Sequence, residues 1–260
     1  MKRNNQTKFV VAALAVGLTL MLSGCLQSET VVRVRPDGSG EVIERFTMAA
    51  GVVEMLAGFA AMGGEESFSL LDEADLRKRA ERMGPGVRYL DAESVETGWG
   101  EGYVARYAFT DINTLRVNQN PSENVPMEGE EAEEFLTFSF RRGNPSVLEV
   151  RLPGGDESVA NNDEAPSPDE LAAASQFYQD MRIAVRIEVI GSIVSTNADH
   201  RSGNTVTLMD IDFNRILQSP ELSAAVLGNQ VGSLAEVQRL VQGADGIAVE
   251  TKEAITISLR

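Results

Sequence analysis

The chain holds a single thiol, Cys25, a single imidazole, His200, and 39 carboxylates, so the chemistry open to it turns on what surrounds each. A lone cysteine has no disulfide partner within the chain. A zinc-type site needs three or four ligands at defined spacing, which one thiol and one imidazole do not supply. His200 lies in the polar stretch Asn197-Ala198-Asp199-His200-Arg201-Ser202-Gly203. A hydrolytic triad needs a serine in a strained turn, oxyanion donors and an acid that orients the imidazole from elsewhere in the fold. No Gly-x-Ser-x-Gly occurs, and Asp199 is too close in sequence to orient His200 well, so an exposed loop histidine is expected. Asp210 and Asp212 share one face of a strand-like segment by period two. With Asp199 they are the candidate cation ligands, and the same pair are the candidate acids of a carboxylate-based hydrolase. The run Asp37-Gly38-Ser39-Gly40-Glu41 fails as a calcium loop. With Asp37 at the third loop position, Arg35 and Phe46 fall where an EF-hand needs its first carboxylate and its bidentate glutamate. No glycine-rich loop opens a helix with phosphate-binding spacing, and no cofactor is expected.

The surroundings of Cys25 point instead to a covalent anchor. Lys2, Arg3 and Lys8 precede an apolar run, Phe9 to Leu22, and no acid interrupts them. At 1.5 Å per residue that run makes a helix of roughly 21 Å, short of a hydrocarbon core of about 30 Å. A basic start, an apolar segment of this length and small residues after it make a secretory signal. Leu22-Ser23-Gly24-Cys25 resembles the lipobox of bacterial lipoproteins. The resemblance implies a diacylglyceryl group on the Cys25 thiol, cleavage before Cys25, and acylation of the new amino terminus. More than one acyl chain gives stable attachment to a bilayer. Leu26 rather than Asp follows the cysteine. In that family such a residue favours the periplasmic face of the outer membrane where the source has two membranes, and the outer face of the cell membrane otherwise.

Charge narrows the partners. The chain's formal charge is −16, and loss of residues 1–24, with three bases and no acid, takes it to −19. Such a surface repels nucleic acid and anionic headgroups. No second apolar stretch of 18 residues appears, so the lipid on Cys25 is the expected membrane attachment.

The elements that must position these residues read as follows. Residues 1–24 are a removed signal, 25–30 the lipidated cysteine with a short tether, and 31–260 a single domain with a flexible insertion near 154–168. Val31 to Met48 alternates around Pro36-Asp37-Gly38-Ser39-Gly40 and reads as a hairpin. Residues 49–64 are apolar all round except Glu54, which predicts a short buried helix ended by Gly63-Gly64; a mobile flap over a lipid cavity, or against the bilayer, is the alternative. Asp72 caps a helix to about Met83. Strands follow over Val87 to Val95 and Tyr103 to Phe109, and Asp111 caps a helical turn. Residues 118–134 are an acidic loop, and Phe135–Arg141 with Val147–Leu152 form a hairpin. A helix runs from Pro168 to about Met181, and strands occupy Ile183–Val189, Ile193–Thr196 and Thr205–Phe213, the last two joined through Ser202-Gly203-Asn204. Helices near 219–227 and 233–242 precede an Ile247–Leu259 hairpin around Thr251-Lys252-Glu253. Hairpins alternating with isolated helices, without regular βαβ units, give an α+β fold on a largely antiparallel sheet with several helices packed on it.

Two stretches resemble the LppM-type bacterial lipoproteins: the strand-Asp37-Gly38-Ser39-Gly40-strand hairpin just after the lipidated cysteine, and the pattern Val189-Ile190-Gly191, Asn197, Gly203-Asn204-Thr205-Val206-Thr207-Leu208. The resemblance implies an envelope-facing α+β domain with lipid or glycolipid binding, and carries over no site residue beyond Cys25. The leading expectation is a membrane-anchored lipoprotein whose domain binds an envelope protein or a lipid-like ligand. The alternatives are a carboxylate hydrolase and a structural component of an envelope complex.

Overall fold

Alternation sets the first strand. Leu26, Ser28, Thr30, Val32 and Val34 turn inward and are buried, while the residues between them face out. The structure, a computed structural model, describes residues 26–64, 68–118, 135–153, 175, 178–227, 244 and 246–260. Cys25, the acidic stretch 119–134, the insertion near 154–168 and the helix expected over 233–242 lie outside these residues.

In chain order the first half comprises β1 (Leu26–Val34), β2 (Gly40–Ala49), α1 (Ala50–Gly63), α2 (Glu73–Arg82), β3 (Arg88–Glu96) and β4 (Gly100–Phe109). A 3-10 turn (Ile112–Thr114), β5 (Arg116–Asn118), β6 (Phe135–Arg141) and β7 (Ser146–Arg151) follow. Next come β8 (Arg182–Val189), β9 (Ile193–Thr196), β10 (Arg201–Ser202), β11 (Thr205–Asp212), α3 (Phe213–Gln218) and α4 (Pro220–Leu227). β12 (Ile247–Val249) and β13 (Ala254–Leu259) complete the set.

The first sheet has the order β10-β11-β8-β1-β2-β4-β3, with β12 also on β11. Its pairs are antiparallel except β1 with β8. The second sheet, β5-β6-β7-β13-β9, is antiparallel throughout. The fold is thus mixed α and β, dominated by antiparallel pairing, with few helices. Both sheets feed one hydrophobic core, from Val32, Phe46 and Tyr107 to Leu136, Leu148 and Ile257.

The β1–β2 turn welds the sheets together. The Asp37 carboxylate accepts from the Ser39 amide at 3.0 Å and the Ser39 hydroxyl at 2.7 Å, an Asx turn. Gly38 takes φ 85°, and a Cβ there would lie 2.7 Å from the Phe140 ring, so the turn's side-chain-free apex seats on the second sheet. Its carbonyls accept from Ile112, Arg142 and Ser146.

Much of the expected pattern is present: the β1–β2, β3–β4 and β6–β7 hairpins, the Asp72 and Asp111 caps, and the inward row Tyr103, Ala105, Tyr107, Phe109. Of the helix expected from Pro168, Ser175 and Tyr178 are described and helical, and Asp180 at φ 66° turns the chain into β8.

Four expectations change. The tether expected after Cys25 is strand from Leu26, because residues 26–30 pair with β2 and residues 27–30 with β8 as well. β9 does not pair with β11. Asn197 bonds both Ala254 and Thr256 of β13 and holds β9 in the second sheet, while β10 makes the hairpin through Gly203-Asn204. Ile247–Leu259 is not a hairpin either: β12 joins the first sheet and β13 the second, and Glu250 between them is fully buried. The helix at 49–64 forms, but only Val52, Val53 and Leu56 are buried, and no residue after Leu56 is.

Candidate functional site

Asp210 and Asp212 do share a face of β11, yet each has other work. Asp210 receives a bidentate grip from Arg182, Nε and Nη2 both at 3.0 Å, and a further bond from Arg186 Nη2 at 2.5 Å. Arg186 also bonds Glu29 on β1, so the cluster ties β11, β8 and β1 across the sheet's outer face. Burial alone would raise the Asp210 carboxyl, but the Arg182 and Arg186 bonds and charges outweigh it and hold the carboxyl below the ordinary aspartate value. Asp212 accepts from the Asn214 amide at 3.0 Å and caps α3. Asp199 pairs with Lys252, whose bond and charge lower its carboxyl too. The three acids therefore meet three different partners, and among the described residues no group of three metal-ligating side chains converges. A general acid needs a raised carboxyl pKa; Asp210 moves the other way. His200 sits half-buried in the β9–β10 loop, where its carbonyl accepts from Thr207.

A second polar cluster lies inside the fold. Arg79 of α2, 3% exposed, bonds Glu44 of β2 at 3.3 Å and the Tyr103 hydroxyl at 3.1 Å, and Tyr107 donates to the same Glu44 oxygen at 3.1 Å. Burial pushes the Tyr103 hydroxyl up to about 12, the Arg79 charge opposing and Glu44 assisting. Burial pushes Tyr107 up as well. This network pins α2 to the sheet, and its members are engaged with one another.

An open cleft of about 450 Å³ lies beside α3, lined by Ser175, Gln179, Asn214, Leu217 and Gln218. Its lining has amides and one hydroxyl but no titratable group, which suits polar contact rather than acid–base chemistry.

What remains of the expected site is the chain's entry into the fold. Leu26 is 3% exposed and lies opposite Met48, one residue from Ala49 and the start of α1. Ala49 pairs with Gly100, and the Ala50 amide donates to the Trp99 carbonyl at 3.3 Å. Leu26, the residue after the expected modification site, therefore lies at the sheet end that carries α1 and the β3–β4 turn. The sequence singles out Cys25 as an expectation but not this neighbourhood, since nothing in residues 49–64 or Gly98–Gly102 states which sheet end they share.

No family model and no curated protein matches the chain. Among solved structures it is similar to the NMR structure of the folded domain of LppM from Mycobacterium tuberculosis. That match has 12% sequence identity and a TM-score of 0.31, over 74% of this chain and 84% of that one. A likeness at that level carries no argument about function.

Proposed function

We propose that the protein is a lipid-anchored lipoprotein of the bacterial cell envelope, and that its α+β domain is a binding or accessory domain rather than an enzyme. The observation that carries this reading is a coincidence of two boundaries. The Leu22-Ser23-Gly24-Cys25 signal ends at Cys25, and Leu26, the next residue, is already a buried strand residue paired with Met48. Cleavage before Cys25 would thus keep every residue of β1. A hydrolase built on Asp210 and Asp212 is disfavoured, because two arginines occupy one acid and a helix cap the other. The partner is an envelope protein or a lipid-like ligand. Leu26 after the cysteine favours the outer membrane's periplasmic face in a two-membrane cell.

The test is metabolic labelling with tritiated palmitate in a bacterial host, followed by mass spectrometry of the N-terminal peptide. Acyl chains on Cys25 and none on a Cys25→Ser variant are expected. Equal label in both, or an unmodified Cys25 in the mature protein, overturns the reading.

A further inference from the structure

Surface helices ordinarily carry charge on the face they turn to water. α1 carries one, Glu54, and its exposed positions are otherwise Ala50, Gly51, Gly58, Ala61, Met62 and Gly63, with Met62 76% exposed. Met55 and Phe59 flank that face half-buried. Small residues and one exposed methionine would not by themselves make a site; their position relative to the anchor does. Cys25 directly precedes Leu26 in the sequence, with no spacer between them. Leu26 pairs with Met48, and α1 begins two residues later. Trp99, the chain's single tryptophan, occupies the turn whose carbonyl takes the Ala50 amide, and it is half-exposed. Tryptophan is the side chain most at home between headgroups and acyl chains.

From this the geometry points to α1 and Trp99 as a membrane-docking face: with lipid on Cys25, this end of the first sheet rests on the bilayer, and the outer turns of α1 and the Trp99 indole enter the headgroup layer. The inference rests on the lipoprotein reading. The bilayer is the occupant, rather than a second protein, because the anchor brings it to within one residue of this surface. Glu54, Glu96 and Glu101 are exposed on or beside the face, and no basic residue lies in α1. The matching surface is therefore zwitterionic lipid, and anionic lipid should weaken the docking. Insertion is shallow, on the order of 5–10 Å, as for other interfacial helices. β1 runs away from this end for nine residues, roughly 26 Å at the rise of a strand, to the Pro36–Ser39 turn and the second sheet. The second sheet is then the part held out from the membrane.

Trp99 is its own reporter. The full protein, purified with its lipid, is reconstituted into phosphatidylcholine vesicles with or without phosphatidylcholine brominated near the headgroup end of the chains. Flotation is recorded alongside tryptophan emission. The expected result is flotation, a blue-shifted emission, and quenching of about half the signal by the brominated lipid. Ala61→Asp/Met62→Asp changes two exposed positions and should reduce the quenching while flotation persists. A Trp99→Phe/Val194→Trp variant moves the reporter to exposed Val194 on β9 of the second sheet, and should not be quenched. Flotation with unquenched Trp99, or equal quenching at position 194, overturns the docking face and leaves the anchor standing. Failure to float overturns both.

Discussion

Glu44 occupies an inward position of β2, between Val42 and Phe46, where the alternation calls for an apolar side chain. Arg79 does the same on α2, beside Leu76 and Ala80. Each would be costly alone; together, with the hydroxyls of Tyr103 and Tyr107, they form one hydrogen-bonded cluster inside the core. The tyrosines make this visible to pH. An unfolded tyrosine ionises near pH 10, whereas burial pushes Tyr103 up to about 12. The stability that this neutral hydroxyl contributes is complete below about pH 10 and is lost as pH rises towards 12. Urea midpoints measured from pH 8 to 12 should fall across that window. Tyr103→Phe should flatten the decline in part, leaving the share of Tyr107, which burial also raises. A midpoint that is flat to pH 12 would show that the hydroxyls are not buried as described.

At the scale of elements, the sequence separates what is local from what is not. Period-two runs on either side of a turn-forming stretch marked the β1–β2 and β6–β7 hairpins, and Asp111 before Ile112 and Asn113 marked a capped turn; Asp212, read from the sequence as a strand-face acid, has the same Asp-apolar-Asn order and caps α3. In both, the asparagine then reaches away: Asn113 accepts from Phe140, and Asn214 bonds Asp180. Those second bonds depend on tertiary approach, so neither is readable from the local order of residues. The strand exchange at Glu250 was hidden for the same reason. Ile247–Leu259 alternates as a hairpin would, and only the fold shows that the buried Glu250 carboxylate collects the amides of Asp199, Thr251 and Lys252, at 2.8, 3.1 and 3.3 Å. Those bonds let the chain leave the first sheet for the second. Glu250→Ala would leave three amides unmatched around a cavity, at a cost of about 3 kcal/mol. Glu250→Gln, which keeps one acceptor oxygen, should recover part of that loss. Denaturant midpoints of the two variants read the difference directly; equal midpoints for wild type and alanine would remove the carboxylate from its structural role.

The whole molecule is polar along β1. One end holds the chain entry, α1 and Trp99; the other holds the Pro36–Ser39 turn and the second sheet. The candidate site was legible only as a proposed attachment point, since the resemblance to a lipobox rests on four consecutive residues, while the surface beside Leu26 is assembled from residues more than 70 positions apart. A surface with one charge in α1 and none of it basic has little affinity for a bilayer of its own, so its docking depends on the high effective concentration that a zero-length anchor gives. Lengthening the anchor isolates that dependence. Ten Gly-Ser residues placed between Cys25 and Leu26 would span about 17 Å as a flexible coil. The domain would then sample a volume in which contact between α1 and the headgroups is one arrangement among many. Flotation with vesicles should be unchanged, because the acyl chains are untouched, while quenching of Trp99 by brominated phosphatidylcholine should fall well below that of the native chain. Quenching that survives the spacer in full would mean that α1 and Trp99 bind lipid independently of the anchor, and that the acidic body of the protein is carried to the membrane by two attachments rather than one.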